Sequence, residues 1–445
     1  MKKRLLNNNA KITKVSMKEY GFLCKNTKGI SLGYQCLEES TFDRLEQFIL
    51  ENRGDKGVAE PLEFMTLSSK RGIGKVISAK NYVGVVAMKD GTQIEILPKL
   101  YSRNDESSEA QTKSVFIQML RSIKGIPYKQ FSTTSLQAEK NNLLDIFIRM
   151  FIEETRTLVK RGLKLDYQER KGNESFYKGK LQVSEHIKYN ASHKERFYIA
   201  YDEYSINRPE NRLIKMTIEL LLRFSRSTAN QKDLYSLLAV FDNIEISGQL
   251  EQDWARISTD RSMKDYQTIL EWCRLFLSGQ SFTPFKGEDL ACALLFPMEK
   301  VFERYVAEII KKMIVHPYVQ IKTQDRTHRL FDSPQRFQLK PDIVVRGPSG
   351  VVVLDTKWKL LSTTPDYDIS QSDMYQAYVY SKKYNATKVY LLYPWTPQLS
   401  MIKQPIIYDS GDGVEVSVSF LDLSLGKSCV DVLAIEIQNI VLGND

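Results

Sequence analysis

Two carboxylates and a lysine stand at the ends of two apolar runs in the stretch KPDIVVRGPSGVVVLDTKWK, residues 340–359. Asp342 opens the run DIVV, the segment GPSG from Gly347 turns the chain, and VVVLDTK returns with Asp355 and Lys357 near its far end. Residues two apart on a strand face the same side, so Asp355 and Lys357 can point into one pocket. If the two runs pair as a hairpin, Asp342 sits near the end of the second strand and the three groups converge. Carboxylates brought together repel, which raises one pKa unless a cation lies between them, and an oxygen-rich site of this kind suits Mg²⁺ with several retained waters. Such an ion polarises a phosphoryl oxygen and generates hydroxide, while a nearby ammonium orients water or stabilises transition-state charge. That is the chemistry of phosphodiester hydrolysis. An ordinary buried hairpin closed by an Asp355–Lys357 ion pair remains the competing interpretation of the same residues.

The elements that must position these groups are legible in the flanking periodicity. A helical pattern in FPMEKVFERYVAEIIKKMI precedes the two runs and carries Glu303, a further carboxylate able to reach a metal. A helix in DMYQAYVYSKKY follows, with Gln376 and Tyr380 at i, i+4 on one face, then a strand in KVYLLYP and a closing helix in VDVLAIEIQNIVL. Helices alternating with buried strands describe an α/β domain over 281–445. Earlier, KVISAKNYVGVVAMKDGTQIEIL (75–97) has β-branched runs with a hairpin signal at Asp90-Gly91, marking a β-rich N-terminal domain over 1–110. SSKRGIGK (68–75) reads as a polar basic loop, either a solvated turn or a phosphate contact. From Leu143 the period becomes helical, and it stays so from Asn211 and from Tyr266, with one strand-like run, NIEIS (243–247), between them. This defines a mainly helical middle domain over 111–280. The expected fold class is multidomain α+β.

Composition narrows the setting. A chain of 445 residues with 42% hydrophobic content can build two or three cores. Its longest apolar runs, such as ACALLF from Ala291, fall short of the roughly 18 to 20 residues that span a bilayer, so a cytoplasmic protein without membrane association is expected. The five cysteines form no CxxC pair and the four histidines no finger spacing, which points to reduced thiols and no structural zinc. A net charge of +9 is compatible with a nucleic-acid partner.

With these residues in view, PD at Pro341-Asp342, DTK at 355–357 and QxxxY at Gln376–Tyr380 resemble the PD-(D/E)xK nuclease superfamily. More widely, the chain from about residue 75 to its C-terminus resembles the McrC family, the nuclease subunit of McrBC-type or LlaJI-like restriction systems. The resemblance is carried by YVGVVAMKDGTQIEILPKL from Tyr82, LLDIFIRMFIEETRTLVKRGLKLDY from Leu143, YKGKLQVSEHI from Tyr177, NRPENRLIK from Asn207, the PD and DTK pair, and LLYP from Leu391. It implies a C-terminal PD-(D/E)xK endonuclease domain with a mixed central sheet, metal binding by Asp342 and Asp355, a catalytic role for Lys357, support of the site or DNA backbone by Gln376, and a contribution from Glu303. It also implies double-stranded DNA as substrate and a GTP-hydrolysing McrB-like AAA+ ring as partner, docked by the N-terminal and middle portions. Thr356 stands where the family often has alanine, a difference expected to matter little.

No nucleotide-binding loop is found in this chain, in keeping with GTP on the partner: LGKS (425–428) has Leu421, and GIGK (72–75) has Ser69, where the first glycine of GxxxxGK[ST] belongs. A non-catalytic adaptor coupling DNA to an AAA+ NTPase is the rival class, and it is disfavoured by the presence of both Asp355 and Lys357. An autonomous exonuclease acting on DNA ends is a third reading.

Overall fold

Strand pairing, rather than chain order, decides which segments belong together in the computed structural model. It describes residues 14–51, 64–88, 91–102, 105–106, 109–122, 142–257, 263–277, 290–364, 366–400, 402 and 405–443. The chain divides into two units, one formed by residues 1–143 together with 279–445, the other by residues 144–278. The architecture is mixed α/β, with several sheets and many helices.

The second unit ends at 278, close to the expected 280, and begins at 144 rather than 111, whereas the first joins the two ends of the chain, expected as separate domains over 1–110 and 281–445. The physical reason is a shared sheet. Lys14–Lys18 lies parallel to Gln93–Leu97, which pairs antiparallel with Tyr82–Met88, and the edge beyond is filled by Leu290–Pro297, a strand from the segment assigned by sequence to the C-terminal domain. The approach is close at Gly84, whose φ is +145° and where a Cβ would lie 1.8 Å from the Leu294 carbonyl oxygen. Only glycine meets both demands. The expected basic loop at 68–75 is a hairpin: Met65–Lys70 pairs with Gly74–Ala79 across a three-residue turn.

From Leu290–Pro297 the chain runs directly into helix α1 (Met298–Met313), whose buried Met298, Val301, Phe302, Tyr305, Ile309 and Ile310 recur at helical spacing. It is followed by strands β1 (Gln320–Thr323), β2 (Ile343–Arg346) and β3 (Val351–Thr356), helix α2 (Gln371–Tyr384), strands β4 (Lys388–Pro394), β5 (Ile406–Asp409) and β6 (Glu415–Leu421), and helix α3 (Asp431–Leu442). The six strands form one mixed sheet in the order β1-β2-β3-β4-β6-β5. Strand β2 runs antiparallel to both its neighbours β1 and β3, strands β3, β4 and β6 are parallel, and β5 closes the far edge antiparallel to β6. Val344, Val353, Val389, Leu391 and Tyr393 share a core with Ala377, Tyr380 and Tyr384 of α2. The alternate residues Val345, Val352, Leu354 and Leu392 point the other way, where α1 and α3 lie against the hairpin strands. A sheet covered on both faces explains why DIVV and VVVL read as unbroken apolar runs.

The second unit packs its helices around Phe147, Phe151, Tyr266, Trp272 and Phe276. It also holds a three-stranded antiparallel sheet, Asp166–Glu174, Phe197–Ser205 and Lys180–Leu181, which helical periodicity did not reveal. The run NIEIS is not a strand. It has no neighbouring ladder, and the Glu245 amide donates to Asn207 Oδ1 instead.

Replacing Gly84 by alanine is expected to destabilise the first unit by about 3 kcal/mol or more, through backbone strain and overpacking against Leu294. Urea unfolding of the full chain checks this; a variant with an unchanged midpoint would mean the two strands part easily at this point.

Candidate active site

The β2–β3 hairpin places its polar ends together by register. Ile343 lies opposite Leu354, so the next residues outward, Asp342 and Asp355, meet across the two strands. Parity then sets the face: Asp342 follows Val344, and Asp355 and Lys357 follow Val353, onto the side covered by α2. The turn beyond the other end needs Gly347, because a Cβ there would lie 2.3 Å from the Val441 carbonyl oxygen of α3.

Helix α2 brings in its own groups at the i, i+3 and i+7 positions Asp373, Gln376 and Tyr380. Ser370 caps its first turn by accepting from the Asp373 amide, and Asn385 ends it in the left-handed region at φ +50°. Gln376 Oε1 accepts from Lys357 Nζ at 2.9 Å, and Gln376 Nε2 donates to Tyr380 Oη at 2.7 Å. The Lys357 ammonium also lies 2.8 Å from Asp355 Oδ2 and 3.4 Å from Asp373 Oδ1. Three acceptors therefore hold one ammonium. Asp373 is shared with Lys359 at 2.8 Å.

On the α1 side, Gln324 Nε2 donates to Glu303 Oε1 and lies 3.4 Å from Asp342 Oδ1, while the Gln324 amide donates to the Asp342 carbonyl at 2.8 Å. Asp342 Oδ2 accepts from both the Thr356 amide (2.8 Å) and the Thr356 hydroxyl (2.7 Å). Thr356, which stands where alanine is familiar in the family, is thus a donor to a site carboxylate through its position across the hairpin.

The electrostatics follow from this enclosure. Burial, then the charges of Asp355 and Glu303, push the Asp342 carboxyl up to about 8, against the pull of the Thr356 donors. Burial also raises Asp355, although Lys357 opposes it, and raises Glu303, although Gln324 opposes it. Burial works against the Lys357 ammonium, but Asp355, Asp373 and Asp342 more than offset this and raise its pKa. The structure thus brings together Asp342, Asp355, Lys357, Gln376 and Glu303. Sequence reading missed Gln324, Asp373 and the Thr356 hydroxyl. Asp373 had a signal, standing three residues before Gln376 on the same helix; Gln324 had none, because its place depends on β1 pairing with β2.

Among the described residues, no group of three or more His, Cys, Asp or Glu side chains is placed to hold a metal ion unaided. Mg²⁺ does not require one, since it commonly takes one or two carboxylates and completes its shell with water and substrate phosphate. The donor set fits such an ion. Asp342 and Asp355 are forced together, Asp342 keeps a partly accessible edge, and the buried Asp355 Oδ2 has no hydrogen bond of good geometry beside its ion pair. Among the described residues no helix is long and apolar enough to cross a membrane.

These features define a mixed α/β protein with a carboxylate–lysine cluster at one end of its central sheet. The family model of the McrBC 5-methylcytosine restriction system component matches residues 77–394. The chain belongs to this family. A chain of the refined half-complex from the tetradecameric assembly of Thermococcus gammatolerans McrB AAA+ hexamers with bound McrC has the same overall fold, with a TM-score of 0.68 and 20% identity over 95% of this chain and 100% of that one. A chain of the cryo-EM structure of the Thermococcus gammatolerans McrBC complex matches at a TM-score of 0.47 and 20% identity, over 68% of this chain and 89% of that one. No curated protein matches the chain.

An acid whose pKa is higher in the folded than in the unfolded state binds its proton more tightly when folded, so the stability it confers falls as pH rises between the two values. For Asp342 that window runs from the ordinary 3.8 to about 8. In chelator, Asp342→Asn is therefore expected to be more stable than the parent chain at pH 8 by about 1–3 kcal/mol, the gain shrinking towards pH 4. Urea unfolding across this range decides it, and a variant no more stable at pH 8 would remove the repulsion account.

Proposed function

We propose that this chain is the Mg²⁺-dependent DNA endonuclease subunit of a GTP-driven restriction complex, with residues 281–445 containing a PD-(D/E)xK nuclease core. The single observation that carries the reading is the convergence of Asp342 and Asp355 across the hairpin beside an ammonium, Lys357, fixed by Asp355, Asp373 and Gln376. A structural salt bridge needs one carboxylate. Two apposed carboxylates plus Glu303 cost stability unless a cation offsets them.

Asp342 and Asp355 would hold the ion, with Glu303 and its Gln324 partner at the margin. When bound, Mg²⁺ supplies polarisation of a phosphoryl oxygen and acidification of water. Lys357 stays protonated and presents a positive charge where the phosphoryl group gathers negative charge. Gln376, itself fixed by Tyr380, keeps the Lys357 side chain from swinging away. Thr356 orients Asp342 through its two hydrogen bonds. Support for an McrB-like AAA+ GTPase ring as partner comes from family membership and from the likeness to an assembly of McrB hexamers with bound McrC. In this reading the nucleotide belongs to the ring, whose GTP hydrolysis this chain stimulates, and the middle helices and N-terminal portion dock on it. Double-stranded DNA is the substrate and the cytoplasm the place of action.

With its AAA+ partner, GTP, Mg²⁺ and circular DNA in methylated and unmethylated forms, the wild-type chain is expected to cut at least one form. Lys357→Ala and Asp355→Ala should cut at least about 100-fold more slowly while still stimulating GTP hydrolysis. Undiminished cleavage by Asp355→Ala would overturn the site assignment. Stimulated GTP hydrolysis with neither DNA cut by any of the proteins would establish the adaptor reading instead.

A further inference from the structure

Between β1 and β2 the chain leaves the sheet as a two-stranded antiparallel ribbon in which Arg329–Asp332 pairs with Gln335–Gln338. Both ends of the ribbon are rooted on the carboxylate cluster. Gln324, at its start, bonds Glu303 and Asp342, and Lys340, at its end, lies two residues before Asp342. Nearly every ribbon residue is exposed on both faces, unlike a strand that belongs to a core. An isolated two-stranded hairpin is marginal in water, so an outlay of exposed apolar surface here calls for a contact that covers it.

The exposed side chains suit one kind of occupant. Phe331 and Phe337, 52% and 71% exposed, pack edge to face with ring centroids 5.9 Å apart. Around them stand Arg326, Arg329, Arg336 and Lys340, all exposed; the ribbon's acidic residue, Asp332, is paired with Lys383 at 3.0 Å. Beside the ribbon, a groove of about 350 Å³ runs against α2, lined by Leu330, Gln338, Lys340, Gln376 and the 63% exposed Tyr375. Gln376 also belongs to the Lys357 network, so the groove and the cluster share this side chain. Basic side chains flanking an exposed aromatic pair match a duplex, whose phosphates line both edges of a groove that admits a β-ribbon.

We propose that the ribbon of residues 326–340 is the element that grips double-stranded DNA beside the bond to be cut: Arg329 and Arg336 contact phosphates on either side, and Phe331 with Phe337 forms an apolar wedge in the groove. The ribbon lies in the duplex while its roots hold Asp342 in place, so gripping and cutting share one piece of backbone. This deepens the nuclease reading and rests on it for the identity of the bond attacked, but its own readout is binding.

The test is fluorescence anisotropy of a 30-base-pair duplex with the full-length chain in chelator, which prevents cutting, over a range of salt. Arg329→Gln with Arg336→Gln should weaken binding about 10- to 100-fold near 0.1 M salt and lower the salt slope by about 2, the value for two lost phosphate contacts. Phe331→Ala with Phe337→Ala should weaken binding several-fold, leave the slope unchanged, and abolish the fluorescence rise of a 2-aminopurine placed in the duplex. Since these side chains are exposed, urea midpoints should match the parent. The proposal is overturned if the parent chain does not bind the duplex, or if both double variants bind with parental affinity and slope. It is also overturned if they keep full DNA binding but lose association with the AAA+ partner, which would make the ribbon a protein-docking element. Normal binding by the ribbon variants together with loss of cutting in Asp355→Ala would sink the ribbon alone; weakened binding together with undiminished cutting in Asp355→Ala would sink the site assignment alone.

Discussion

The structure around the candidate site depends on one constraint, the enclosure of like charges at the mouth of the β2–β3 hairpin. Asp342 and Asp355 face each other because the hairpin register leaves no other place for them, and Glu303 approaches from α1 through Gln324. Each would be more comfortable in water. What keeps them in place is the apolar sheet behind, where Val344, Val353, Leu391 and Tyr393 are fully buried, and each such side chain contributes about 1.5–3 kcal/mol. The stability of the sheet is what makes a costly polar cluster possible, a common division between scaffold and site.

The surrounding hydrogen bonds limit that cost without removing it. Thr356 gives Asp342 two donors, Gln324 links Asp342 to Glu303, and Lys357 is shared by Asp355, Asp373 and Gln376. Removing any one of these partners shifts the load onto those that remain in a poorly solvated place, so the network acts as a unit. Its basic members have several acceptors each, whereas its acids still repel one another. That imbalance is what a divalent cation and a phosphate backbone would redress.

The N-terminal segment reaches the same place. Trp358, the residue after Lys357, is buried against Phe302 of α1 and donates through Nε1 to both carboxylate oxygens of Glu19, at 2.9 and 3.1 Å. Glu19 also accepts from the Lys99 amide, and burial pushes its carboxyl up to about 7. The chain after β3 is therefore tied to the N-terminal part of the same unit by a polar contact as well as by the strand Leu290–Pro297. This explains why residues far apart in sequence make one unit, and why Leu290–Pro297, assigned by sequence to a separate C-terminal domain, pairs with Tyr82–Met88.

The sequence by itself determined which polar residues stand together at the candidate site and the elements that carry them. Asp342, Asp355 and Lys357 declared themselves because a two-residue period and a turn at GPSG make a hairpin, and local rules suffice to bring hairpin ends together. The helices bearing Glu303 and Gln376 were legible from 3.6-residue periodicity, and the family from segments spread along the chain. Tertiary structure decided what depends on partners distant in sequence. Gln324 and Thr356 became donors to Asp342, and Asp373 joined Lys357, through pairings no local pattern encodes. The strand Leu290–Pro297 joined the N-terminal sheet, and NIEIS, with the right composition for a strand, found no ladder and stayed a loop. Propensity belongs to a segment, whereas a strand's neighbours and a polar group's partner are settled only when the whole chain competes for burial and hydrogen bonds.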